Sequence, residues 1–128
     1  MDAITVLVGM ATVYLTEAHA GNPLLCGGVF ADTTAPWVAL PISQFGTWRC
    51  GDLVYLSFGN GDALLARAMD AGPFGDHCVI RGNRCIPIVA DVPEPHWPAC
   101  CAEVYIVAIP TRTVMVVTRR ALSGYGWA

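Results

Sequence analysis

Apolar positions along the chain recur with a period of two, and no stretch of ten residues carries the 3.6-residue period of an amphipathic helix. Residues 4–15 are rich in β-branched and aromatic side chains, which predicts a strand with a bulge or bend at Gly9. Residues 52–58 alternate, and Asn60-Gly61 is a strong two-residue hairpin turn into residues 63–69. Ala, Leu, Arg and Met at 63–70 are also good helix formers, and the hairpin signal decides for strand. Residues 23–41, with Gly27-Gly28 and Pro36, read as a long loop holding short extended pieces. Gly72-Pro73-Phe74-Gly75 reads as a turn, and residues 78–80 and 85–89 flank another turn at Gly82-Asn83. Three prolines make residues 91–99 irregular or a single helical turn. Residues 103–109 and 113–118 predict two strands joined at Pro110-Thr111. Several short strands at regular spacing predict an all-β domain, a small barrel or sandwich.

Composition narrows this picture. At 128 residues the chain has room for one domain. With 55% hydrophobic and 13% charged residues it has ample surface to bury, which excludes disorder. A net charge of −3, from seven arginines, no lysine and ten acidic residues, offers no footprint for nucleic acid. No run reaches the roughly 18 apolar residues of a membrane span. Residues 3–16 followed by Ala18-His19-Ala20 sketch a secretory signal, but Asp2 and the lack of a basic residue before the run argue against it.

The cysteines add a compartment. Cys26, Cys50, Cys78, Cys85, Cys100 and Cys101 suggest disulfides in an oxidising environment, with 15 pairings open, or else small buried thiols. Zinc on Cys78, Cys85, His96 and Cys100 is conceivable, yet no C-x2-C spacing supports it. No metal or other cofactor is expected.

Blocks along the chain carry a resemblance. Gly9-Met10-Ala11-Thr12-Val13-Tyr14 looks like an opening strand. Gly28-Val29-Phe30 and Val38-Ala39-Leu40-Pro41 follow, then Phe45-Gly46-Thr47 and Cys50-Gly51-Asp52-Leu53-Val54-Tyr55. Asp70-Ala71-Gly72-Pro73-Phe74-Gly75 resembles an Asp-x-Gly-Pro-Phe turn, and Val89-Ala90-Asp91-Val92-Pro93 takes the place of an Asp-Leu-Ser segment. In this order they resemble the double-psi β-barrel domains of rare lipoprotein A, the expansins and the barwin-like proteins, over residues 9–110. The resemblance implies a six-stranded double-psi β-barrel with short helical turns. Its core would occupy 9–110, with residues 102–109 as closing strand. Residues 111–128 would then form a C-terminal strand and tail, an assembly arm.

The resemblance further implies a groove that binds, and in some members cleaves, wall polysaccharide such as peptidoglycan glycan strands. Asp70 matches the family's groove aspartate. Independently of the family, two carboxylates at strand ends, Asp70 and Asp91, can divide acid and base roles if their environments separate their pKa values. At roughly 5–9 Å such a pair suits glycosidic-bond chemistry, of a lytic transglycosylase or glycoside hydrolase kind. Either aspartate can equally be a turn residue bonding its own backbone. The Glu and His of catalytic rare lipoprotein A relatives are missing. Gly28 stands at the first position and the second falls near Pro41, leaving Asp32 or His77 as substitutes. Tyr14, Trp37, Trp48, Phe74, His77 and Trp97 are candidates for stacking on or contacting sugar, the plainer reading of each tryptophan being a core or loop anchor.

Two functions from different classes emerge. One is a wall-directed, polysaccharide-binding and cleaving barrel, in an extracellular, envelope or virion setting. The other is a non-catalytic structural module of a phage or virus particle. For the latter, Leu122, Tyr125 and Trp127 in the aromatic tail would dock into a second copy or other virion proteins.

Overall fold

The computed structural model describes residues 4–15, 21–28, 35–59, 61–72, 78–98, 104–106 and 109–119. Eight strands follow in chain order: β1 (Ile4–Tyr14), β2 (Trp37–Pro41), β3 (Leu53–Gly59), β4 (Asp62–Gly72), β5 (Cys78–Arg81), β6 (Arg84–Pro93), β7 (Val104–Ile106) and β8 (Ile109–Arg119). Two single 3-10 turns, Ile42–Gln44 and Glu94–His96, are the helical content among the described residues. The protein is all-β.

Six strands close on themselves in the order β1-β6-β2-β4-β3-β8, with β8 returning to β1. Closure removes the unpaired edges that an open sheet would expose. The pairs β1/β6 and β2/β4 are parallel, while β3/β4, β3/β8 and β1/β8 are antiparallel. At the centre β2 meets β6 through one antiparallel pairing, Ala39 with Asp91. A two-fold through that pairing exchanges β1 with β4, β2 with β6 and β3 with β8. The first three barrel strands thus map onto the last three, and each parallel pair joins one strand from each of the two interlocked halves. This is the double-psi arrangement.

The expected strands and hairpins largely stand, with three corrections. The extended piece inside the expected loop at 23–41 is β2, a fully buried central strand. Residues 102–109 do not close the barrel. Val104–Ile106 is an outer strand on β8, and β8 itself closes on β1 and β3. The barrel consequently reaches Arg119, beyond the expected limit at 110, because Val114, Val116 and Thr118 alternate inward. Pro110-Thr111 is not the turn, since both lie within β8 opposite Tyr105 and Val104. The strand expected at residues 4–15 is β1, paired on both sides.

The core is built from Ala11, Val38, Leu40, Val54, Leu56, Phe58, Ala66, Ala68, Ala90, Val92, Val114 and Val116, around the indole of Trp48. Burying a Val or Leu side chain contributes about 1.5–3 kcal/mol, so these inward rows hold the barrel closed. Gly9 is required by close approach. A Cβ there would lie 2.3 Å from the Pro87 carbonyl oxygen and 2.9 Å from Val89. The expected irregularity falls next to it, between Met10 and Ala11, where β6 carries an extra residue.

Cys26 is joined to Cys50, and Cys78 to Cys85 across the β5–β6 hairpin. The second bridge leaves Cys78 and Cys85 unavailable as zinc thiolates. Cys100 and Cys101 lie outside the described residues.

Candidate functional site

The two bulges decide which way the acidic side chains face. Along β4, Ala66 and Ala68 point into the core, and strict alternation would send Asp70 after them. The pairing with β2 runs Val38 with Ala68 and then Ala39 with Asp70, so Met69 is an extra residue. Asp70 is thereby turned to the face away from the core, and Ala71 returns to it. In β6 the extra residue is Val89, after which Ala90 and Val92 point inward and Asp91 outward.

The result is one row across four neighbouring strands: Thr12 on β1, Asp91 on β6, Ala39 on β2 and Asp70 on β4. Ala39, fully buried, stands between the two carboxylates. Strand spacing puts their backbones about 9–10 Å apart. The row is capped on one side by a small apolar cluster of Leu24 and Trp37 with Tyr14 and Met69. Tyr14 meets Trp37 edge to face at 5.6 Å.

The two aspartates have different partners. Asp70, only 8% exposed, accepts from two donors. The Tyr14 hydroxyl donates to its Oδ2 at 3.2 Å, and the Leu25 backbone N–H donates to its Oδ1 at 3.0 Å. Asp91 accepts one bond, from the Thr12 hydroxyl to Oδ1 at 2.9 Å. Burial pushes its carboxyl up to about 7. The Thr12 bond opposes that rise and the charge of Asp70 adds to it. Tyr14 is pushed up to about 12, by burial first and then by the charge of Asp70 and its hydrogen bond, with Asp91 adding last.

Chemically, the row offers a carboxyl that carries a proton near neutral pH beside a second carboxylate whose oxygens are both held by donors. That is the separation of environments that acid–base work needs.

The expected site residues are distributed unequally. Asp70, Asp91, Tyr14 and Trp37 come together. Trp37 is 2% exposed and packs its ring on Tyr14 and Leu24, so it builds the site's wall and leaves no face for a sugar. Trp48 is elsewhere: it is fully buried in the main core, its indole N–H donates to the Pro41 carbonyl at 2.8 Å, and Phe45 packs against it edge-on. Trp97 is half-buried against the core, edge-on to Phe58 at 5.8 Å. Phe74, His77 and Asp32 lie outside the described residues, as do Leu122, Tyr125 and Trp127.

Thr12 and the Leu25 amide are additions to the expected set. Thr12 shares the outward parity of Tyr14 in β1, which is a usable signal. A backbone donor from a loop leaves none. Among the described residues, no three His, Cys, Asp or Glu side chains cluster as metal ligands. No protein-family model, curated protein or solved structure matches this chain.

Proposed function

We propose that the barrel binds cell-wall polysaccharide, with peptidoglycan glycan strands the favoured substrate, across the outer face of β1, β6, β2 and β4. The observation that supports this reading is the registration of Asp70 and Asp91 on either side of Ala39. In this reading Asp91, partly buried, donates a proton to the leaving oxygen of a glycosidic bond. Asp70 supplies fixed negative charge behind it, held by Tyr14 and Leu25. Leu25, with 55% of its surface exposed, gives the rim an apolar surface for the C–H face of a sugar ring. The resemblance to rare lipoprotein A and the expansins points the same way. Two disulfides are compatible with an extracellular or envelope location.

The test is incubation of purified sacculi with the wild-type protein, Asp91→Asn and Asp70→Asn. Soluble muropeptide release by the wild type, lost in Asp91→Asn, is the expected result. Release no greater than the no-protein control, with no retention on sacculi, removes both cleavage and wall binding.

A second reading, a rigid module of a phage or virus particle, is favoured by a different face. Val6, Val8, Tyr55, Leu65 and Met115 each leave at least 41% of their surface exposed. Cross-strand pairing makes them neighbours, Val8 with Met115, and Val6 through Val117 and Tyr55 to Leu65. A contiguous apolar sheet face of this kind marks an interaction surface. Light scattering on the wild type and a Val8→Asp, Leu65→Lys double variant tests it for self-association. Wild-type oligomers that the variant breaks into monomers support assembly through this face. A wild-type monomer at high concentration removes self-assembly.

A further inference from the structure

The segment that reaches Asp70 is held to the barrel in an unusual way. Residues 24–28 form a tight turn, in which the Leu24 N–H donates to the Gly28 carbonyl and the Gly27 N–H to the Leu24 carbonyl. Gly27 and Gly28 take φ values of 101° and 78°, conformations that other residues avoid. One side chain of this strap, Leu24, is buried, while Leu25 and Pro23 face solvent. Its Cys26 N–H donates to the carbonyl of Met69 at 3.0 Å, the bulge residue just before Asp70. Its Leu25 N–H reaches the Asp70 carboxylate itself.

The other end of the disulfide sits on the same stretch of β4. Next to Cys50, the Gly51 N–H donates to the Ala68 carbonyl at 2.8 Å, and the Asp52 carbonyl accepts from the Ala68 N–H at 3.0 Å. The bridge between Cys26 and Cys50 therefore ties together two loops, one gripping Met69 and the other the adjacent Ala68. With so little buried apolar surface of its own, the strap belongs to the parts of a structure that open locally at low cost.

We propose that Leu25 and the Cys26–Cys50 disulfide are positioning elements of the aspartate site, so that Asp70 is set in place only in the oxidised protein. Opening is a thiol–disulfide exchange with a dithiol reductant. The Cys26–Cys50 bond breaks, each sulfur ends as a thiol, and the reductant's two thiols become a disulfide. The strap then leaves Asp70, which loses its Leu25 donor and gains water. Its charge on Asp91 is screened. The proposal rests on the reading of this face as the working site, but its first readouts do not depend on activity.

The experiment compares oxidised wild type, wild type in dithiothreitol, a Cys26→Ser, Cys50→Ser variant, and a Cys78→Ser, Cys85→Ser control. Amide exchange and the Asp91 carboxyl signal are followed by NMR, and sacculus binding and muropeptide release are measured in parallel. On reduction, or in the first variant, the Leu25 amide is expected to exchange at least tenfold faster while amides of β3 and β8 keep their protection. The midpoint of Asp91 is expected to fall by half a pH unit or more. The control variant keeps wild-type values.

Unchanged Leu25 exchange overturns the proposal, and so does a strap that opens without moving the Asp91 midpoint. If the wild type acts on sacculi, a tenfold or greater loss of turnover on reduction supports the proposal, and equal turnover in both redox states overturns it. If the wild type neither binds nor releases wall material, the polysaccharide reading falls. The Leu25 and Asp91 readouts then still decide whether the disulfide sets the site.

Discussion

Asp70 and Asp91 stand on opposite sides of one residue, Ala39, on the two parallel strand pairs that a two-fold axis relates. Their surroundings differ. Asp70 sits on the β2/β4 pair, against the strap, and takes two donors, one of them a backbone amide fixed by a disulfide-tied loop. Asp91 sits on the β1/β6 pair with a single hydroxyl and a burial cost that exceeds what Thr12 returns. Symmetry-equivalent positions carry Thr12 against Asp70 and Ala39 against Asp91. A fold built from two similar halves thus gains chemistry where the halves stop being alike: the same sheet geometry holds one carboxylate among donors and leaves the other with a proton near neutral pH.

The largest consequence concerns turnover. Removing a positioned acid costs about 100- to 10,000-fold, so Asp91→Asn is expected to lower the release rate by that factor at pH 6. In the wild type the rate should fall as pH rises through about 7, because the working form is protonated. A wild-type rate that is flat from pH 5 to pH 9 breaks the assignment of the acid to Asp91.

Stability should register the same asymmetry. The Asp91 carboxyl is raised from 3.8 to about 7 on folding, so the folded state binds the proton more tightly than the unfolded chain. Stability therefore decreases as pH rises between about 4 and about 7, and is level on either side. Three pH units correspond to about 4 kcal/mol. Asp91→Asn removes this dependence, and denaturant titration at pH 4.5 and pH 8 should show the variant gaining most at pH 8. An equal effect at both values contradicts the raised carboxyl.

The two disulfides divide between the sides, Cys26–Cys50 beside Asp70 and Cys78–Cys85 on β6, the strand of Asp91. Cys26–Cys50 closes a separation of 24 residues and Cys78–Cys85 one of 7. Loop-closure entropy assigns them about 3.5 and about 2.5 kcal/mol respectively. Thermal unfolding of the two serine double variants should rank them in that order. The smallest effect is Tyr14→Phe, which removes one donor from Asp70 and costs about 1 kcal/mol. An unchanged Tm in that variant would mean that the hydroxyl bond is not formed in solution.

Much of the barrel is legible in the sequence because strand alternation and turn chemistry are local. The Asn60-Gly61 hairpin and the turn at Gly82-Asn83 both separate paired strands. What escapes is long-range. Residues 37–41 read as loop because continuous burial removes alternation, the pattern of a strand covered on both faces. The hairpin before β8 is misplaced because Pro110 reads as a turn residue while standing at the start of a strand.

For the site, the two aspartates were visible as carboxylates at strand ends, but their outward direction depends on the bulges at Met69 and Val89. A single extra residue reverses which face a side chain takes, and nothing local in either segment marks it. Trp48 stays open between two readings for a related reason. A loop tryptophan can be anchor or platform, and only the packing of the barrel shows that it fills the core.

The coupling of the two aspartates is most directly tested by following the 13C carboxyl signal of Asp91 from pH 4 to pH 9 in the wild type and in Asp70→Asn. A midpoint near 7 is expected in the wild type, moving down when the Asp70 charge is removed. An ordinary carboxylate midpoint near 4 in the wild type, unmoved by Asp70→Asn, would contradict a single site with divided roles.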